Sequence, residues 1–390
     1  MNLESSAKLL NSFASRNSMH RNNSKKPRII NNSDKIILAL EDFVFSVGLR
    51  RDGTTFHVEK RKIEEVVPSI KKALKRKNIL WLDYVVSGDF KKQVLKSARL
   101  LGFSELLVKN LLKATRGNYE DLETEMGILL PAMRVEGFDV KINPLLVLIR
   151  ENLIVTMHTA EVTRFFRLRK YAATLLRKFP KDMSNKDKIT MLLIRIIDEN
   201  NARNFDYLRV IEEHGDKLSA RLADPKASRA LISKQIHDMK HALVTYLDGL
   251  WATIDVLSAL RYGDADLLTD DIKIIERINA LSVEVNAQIG LAEHMSEVLA
   301  SGLEVMQTIY NNQLQMLNNK LALLVAYLTI LGTAVLVPNT LATILSNPAY
   351  GLGPDDMWWY SGLMIVSTVF ATVVAYWWVK KMGWLEALPE

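Results

Sequence analysis

Stepping by three and four residues through one uncharged stretch of the chain meets Asn319, Ala322, Ala326, Thr329, Thr333, Leu336, Thr340, Thr343 and Asn347. All but Leu336 are small or polar, whereas the neighbouring registers hold Leu, Val, Tyr and Ile. A row of hydroxyl and amide oxygens suits a cation that keeps its water. Mg2+ gives up first-shell water reluctantly, so a pathway can pass it by hydrogen-bonding to those waters. Neutral oxygens hold such an ion without trapping it, as conduction requires. Leu336 would be the hydrophobic constriction in this row, able to gate by dewetting. A polar row in lipid is costly unless it faces protein or water. Small residues and threonines also pack helix on helix, and the sequence leaves both readings open.

A second candidate is the turn that follows, "NPAYGLGPDDMWWY" from Asn347 to Tyr360. Gly351 and Gly353 let the backbone turn sharply and bring carbonyls close together. Asp355 and Asp356 would concentrate cations at a pore mouth, an effect that salt screens. The turn also reads as a plain hairpin in which Pro354 and the aspartates start the next helix. Two weaker clusters lie upstream. His237 and His241 in "HDMKH" are four apart, on one helical face, and could share a metal. Asp264, Asp266, Asp270 and Asp271 could bind Mg2+ as a regulatory ion, or form a solvated turn with capping acids. With no cysteine, disulfides and thiolate metal sites are excluded. No nucleophile, base and orienting group can be assembled, so the chain is not expected to be an enzyme and no cofactor is implied. No carboxylate lies in the apolar stretches, which favours passive flux over a proton relay.

The elements that position these residues follow from hydropathy. Leu321 to Leu345 is uncharged and long enough to cross a hydrocarbon core of about 30 Å. Met357 to Val379 is a second uncharged span, opened by Trp358, Trp359 and Tyr360 and closed by Tyr376, Trp377 and Trp378. From Trp359 to Trp377 is about 27 Å along a helix, the separation of two interfacial aromatic belts. Lys320 precedes the first span, and Lys380 and Lys381 follow the second, while the loop 346–356 has no Lys or Arg. Basic flanks stay on the cytoplasmic side. Both termini are therefore expected inside a plasma membrane and the acidic loop outside.

Upstream, "KIILALEDFVFSVGL", "NILWLDYVV", "MGILLPAMRV", "NPLLVLI" and "NLIVTMHT" read as strands. "DFKKQVLKSARLLGF", "ELLVKNLLKAT" and "EVTRFFRLRKYAATLLRKF" read as helices. The mixture predicts an α/β or α+β domain over residues 34–225. From 226 to 320 the pattern is purely helical: a helix to Leu260, a turn, and a long helix running from near Asp270 into the first span. Along it Ile278, Leu281, Val285, Ala292, Met295, Leu299, Met306 and Ile309 hold heptad a and d positions, with Gln288 and Gly302 as imperfect members. Residues 1–33 hold six Lys/Arg against Glu4 alone, +5 of the net +7, and read as a disordered basic tail. A targeting segment would share that composition. The remainder is close to neutral, which argues against nucleic acid as a partner.

Several stretches, in order, resemble the CorA superfamily of divalent-cation channels. They are "NILWLDYVVSGDF", "LGFSELLVKNLL", "NYEDLETEMGILLPAM", "LIRENLIVTMHTAEV", "IIDENNARNFDYLRVIEEHGDKLSARL", which looks like that family's next helix, and "NNQLQMLNNKLALLVAYLTI" with the basic end "VKKMGWL". The resemblance implies an α+β cytoplasmic domain, a helical stalk and two transmembrane helices. It also implies a funnel-shaped homopentamer in lipid whose first spans line a pore for divalent cations. One element departs from the family's Tyr-Gly-Met-Asn signature. Here Tyr350, Gly351, Leu352 and Gly353 stand in those places, and more residues separate Pro338 from Tyr350 than the family usually has. The expected cargo is Mg2+, with Zn2+, Co2+ or Ni2+ behind. The alternatives are the same scaffold with altered selectivity, or a membrane-anchored interaction protein that has lost transport.

Overall fold

A computed structural model describes residues 43–113, 117–222, 228–262, 265–347, 351 and 353–381. The basic tail, the start of the first expected strand, Asp264, Tyr350, Leu352 and the chain end beyond 381 lie outside the described residues. The chain divides into two compact units, residues 1–218 with 228–296, and 219–227 with 297–390. The division falls inside a helix rather than at the composition change near residue 225.

The first unit is built on a seven-stranded sheet. In chain order its strands are β1 (Phe43–Leu49), β2 (Thr55–Lys60), β3 (Ile79–Val86), β4 (Asn118–Asp121), β5 (Met126–Glu136), β6 (Asp139–Arg150) and β7 (Leu153–Thr159). The spatial order is β2-β1-β3-β7-β6-β5-β4, and only β3 and β7 run parallel. A meander from β4 to β7 thus docks its last strand onto β3. Side chains alternate across a strand. Leu80, Leu82 and Tyr84 of β3 point to a core shared with α1 (Ile63–Lys75), α2 (Phe90–Leu101) and α3 (Glu105–Lys113). Trp81 and Asp83 point to the opposite face.

That opposite face is covered by α4 (Phe165–Arg177), α5 (Asn185–Asn201) and α7 (Arg229–Tyr262), with α6 (Asn204–Leu222) between the last two in sequence. The stretch read as one helix from Ile196 to Leu222 is two, because the chain turns at Ala202 and Arg203. β2, β4, α1 and the part of α5 before Ile196 were not foreseen. α1 has Ile63, Val66, Ile70 and Ala73 on its buried face, but Pro68 interrupts the pattern.

α8 (Ile272–Leu345) runs 74 residues without a break, through Pro338. Asp271 starts it, its carboxylate accepting the Lys273 N–H at 2.8 Å. The heptad stripe is divided in its environment. Ile278, Leu281, Val285, Gln288, Ala292 and Met295 are buried against the chain's own first unit. Leu299 and Met306 are only half covered, and Ile309 is exposed. The second unit adds α9 (Met357–Lys381), preceded by a single 3-10 turn, Pro354–Asp356.

Candidate functional site

Among the described residues three helices are long and apolar enough to cross a membrane: α7, α8 and α9, with mean hydropathies of 1.3, 2.3 and 1.8 in their most apolar windows. Burial separates them. The α7 window is 56% buried within the protein, against 11% and 17% for α8 and α9. α7 uses its apolar faces on the sheet, where a Cβ at Gly249 would meet Met133 Sδ at 2.5 Å. The most apolar stretches of α8 and α9 remain largely uncovered.

Within the second unit, α8 buries or half-buries Leu323, Ala326, Ile330, Ala334, Leu341 and Leu345. α9 does so at Met364, Ser367, Thr368, Ala371, Ala375 and Val379. Each set lies on one helical face, and the α9 set is rich in small residues, which favour helix packing in lipid. Ala326, a member of the expected row, is 1% exposed. Asn319 is half-buried, whereas Thr329, Thr333, Leu336, Thr340, Thr343 and Asn347 are exposed.

The four threonines share one geometry. Thr329 Oγ1 donates to Val325 O at 2.8 Å, Thr333 Oγ1 to Thr329 O at 2.9 Å, Thr340 Oγ1 to Leu336 O at 2.8 Å and Thr343 Oγ1 to Asn339 O at 2.8 Å. A hydroxyl whose proton is used on its own helix presents acceptor lone pairs outward. A row of such oxygens is suited to cations and the water around them, and unsuited to anions.

The hairpin turn brings Asn347, Gly351, Gly353 and Asp356 together around a cavity of about 340 Å³, closed by Leu345, Ser346, Met357 and Tyr360. Gly351 has φ +60°, a left-handed conformation that favours glycine. The two aspartates differ. Asp356 accepts the Gly353 N–H at 3.0 Å and the Trp359 indole N–H at 3.1 Å. The first of these bonds, then the second, holds its pKa below the usual carboxylate value. Asp355 is exposed and makes no such bond. One carboxylate therefore builds the turn and the other faces solvent.

The upstream candidates lie on α7 and in the turn that follows it. His237 and His241 lie exposed on α7, with His241 Nδ1 3.3 Å from Thr245 Oγ1. Asp266 and Asp270 are exposed, and Asp271 is engaged in starting α8. Among the described residues no three His, Cys, Asp or Glu side chains are grouped to hold a metal.

An apolar helical hairpin with one acceptor-lined face, joined by a continuous helix to a mixed α+β domain, is the build of an ion transporter of membranes. Residues 77–381 match the CorA-like Mg2+ transporter protein family, and the chain belongs to that family. Among solved structures it resembles the complete CorA magnesium transporter from Methanocaldococcus jannaschii. The TM-score is 0.58 and the identity 18%, over 84% of this chain and 96% of that one. The full-length CmaX protein matches at TM-score 0.52 and 16% identity, over 88% and 98% of the two chains. The soluble domain of the same M. jannaschii CorA matches at 0.50 and 19%, over 68% and 96%. At these identities the likeness is one of fold. No relative is found among curated protein sequences.

Proposed function

We propose that this chain forms a homopentameric, two-span channel for divalent cations, passing hydrated Mg2+ down the membrane potential. α8 is the first span and lines the pore with Thr329, Thr333, Thr340, Thr343 and Asn347, and α9 is the second. Both termini are cytoplasmic and the Gly351–Asp356 turn is external, in a plasma membrane. The observation that carries this reading is the row of outward acceptor oxygens on an otherwise apolar helix. One chain alone leaves that row exposed in a setting where exposure of polar groups to lipid is costly. Copies arranged around an axis remove the cost by turning the rows toward shared water. Leu336, at 67% exposure in one chain, becomes the ring where water is excluded.

A second reading, the same channel with altered selectivity, is favoured by Gly353 standing where the CorA signature has asparagine. Uptake into liposomes carrying the purified chain tests both. Mg2+ entry well above Na+ entry supports the first reading, and comparable Na+, Zn2+ and Mg2+ entry supports the second. No uptake of any ion, from a chain that is folded and inserted, overturns both.

A further inference from the structure

α8 buries one polar side chain in the apolar seam it presents to the first unit. Gln288 is 0% exposed, between Val285 and Ala292, which are equally buried. Its Oε1 accepts the Asn204 Nδ2 hydrogen at 3.1 Å. Asn204, also 0% exposed, is a junction: its backbone carbonyl accepts the Tyr246 hydroxyl of α7 at 2.9 Å. Its Oδ1 accepts from Arg164 Nη1 at 3.3 Å. Arg164, just before α4, donates in turn to the Met133 carbonyl of β5 at 2.6 Å and lies over the Tyr207 ring. Among the described residues this buried guanidinium makes no ion pair. Burial works against its charge, so the neutral acceptors are what hold it.

An apolar seam of Leu, Ile, Val, Ala and Met accepts a slip of one helical turn at little cost, because those side chains interchange. A single buried amide does not. Slipping α8 by one turn, about 5.4 Å, would replace Gln288 opposite Asn204 by Ala292 in one direction, which offers no acceptor, and by Glu284 in the other, which would bring a carboxylate into the seam. Buried polar groups in an apolar seam are best attested as devices that fix register, at a cost in stability. Among the described residues Gln288 Nε2 and Asn201 Nδ2 have no partner, which is that cost. Gln288 lies on the same unbroken helix that carries Thr329 and Thr333.

We infer that the Gln288–Asn204–Arg164 chain is a register latch, holding α8 in one axial position and thereby setting how far the pore is open. The flux half of this inference rests on the channel reading; the position half does not. The chain has no native cysteine, so paired spin labels can be placed at Lys240 of α7 and Glu293 of α8, both exposed. In full-length protein in liposomes, with doubly labelled chains diluted into an excess of unlabelled ones, the wild type should give one narrow distance. Gln288→Met, similar in volume, should stay folded by circular dichroism and give a broadened or second distance. Val285→Met, in the same seam, should not. Mg2+ uptake should change at least about threefold in Gln288→Met only. An unchanged distance in Gln288→Met, or equal broadening in both variants, overturns the latch. Broadening with unchanged uptake, in a chain that transports, overturns its control of the pore. Broadening in a chain that transports nothing leaves the latch standing and removes the channel reading.

Discussion

Asp83 is the residue whose loss the first unit should tolerate least. It is fully buried on β3, and Arg169 Nε of α4 reaches it at 2.5 Å. His158 Nε2 lies 3.2 Å away and Thr156 Oγ1 donates to it, while the Trp81 indole donates to Thr156 at 3.1 Å. Asp83→Asn keeps the shape and removes the charge, leaving Arg169 at 8% side-chain exposure without a carboxylate. Breaking a buried pair from one side costs about 3–5 kcal/mol. For a unit of this size each kcal/mol moves the melting temperature by about 2–4 °C, so the variant should melt roughly 6–20 °C lower. Burial alone would raise the pKa of Asp83, but Arg169 and then His158 overcome it and place it well below the usual value. A depressed folded pKa stabilises at pH above the unfolded value, about 3.9, and is lost as pH falls toward the folded value. The penalty of Asp83→Asn should therefore be full from about pH 5 upward and shrink only below about pH 4. Replacing both partners, Asp83→Leu with Arg169→Met, should recover most of the loss. Thermal melts of the detergent-solubilised chain across pH measure all of this. A single variant melting within about 2 °C of wild type at pH 7 would show that the pair does not hold β3 to α4.

Three further outcomes are expected. Gly290→Ala, on an exposed position of α8 where an added Cβ meets nothing within 4 Å, should stabilise by about 1 kcal/mol, read as a raised melting temperature. Asp355→Asn should lower Mg2+ flux at low ionic strength and much less at high salt, whereas Asp356→Ala should lower it at both, because it unmakes the turn; identical salt dependence would count against the division of roles. Leu336→Ala should raise leak flux while Leu331→Ala does not, and equal effects would mean that the pore register is wrong.

The two long apolar helices near the chain end were legible because hydropathy and heptad spacing are properties of consecutive residues. The interior strands were legible for the same reason. β2 and β4 were not, being short edge strands of half-polar sequence such as "NYED". α1 was hidden by Pro68. The Asp83–Arg169 pair joins residues 86 apart in sequence, and no spacing rule reaches that far. Gln288 was visible as a flaw in the heptad, but its partner Asn204 lies 84 residues away. The unequal roles of Asp355 and Asp356 were half legible: Gly-Pro-Asp-Asp spells a helix start, but only the geometry shows which carboxylate closes it.

The central claim is that the threonine row lines a water-filled cation pathway. In this cysteine-free chain, Thr333→Cys reconstituted in liposomes can be treated with a charged, membrane-impermeant thiol reagent while Mg2+ uptake is followed. Rapid modification that blocks uptake, with Leu331→Cys unreactive, is the result expected. An unreactive Thr333→Cys in a transporting protein, or modification that leaves uptake unchanged, would contradict it.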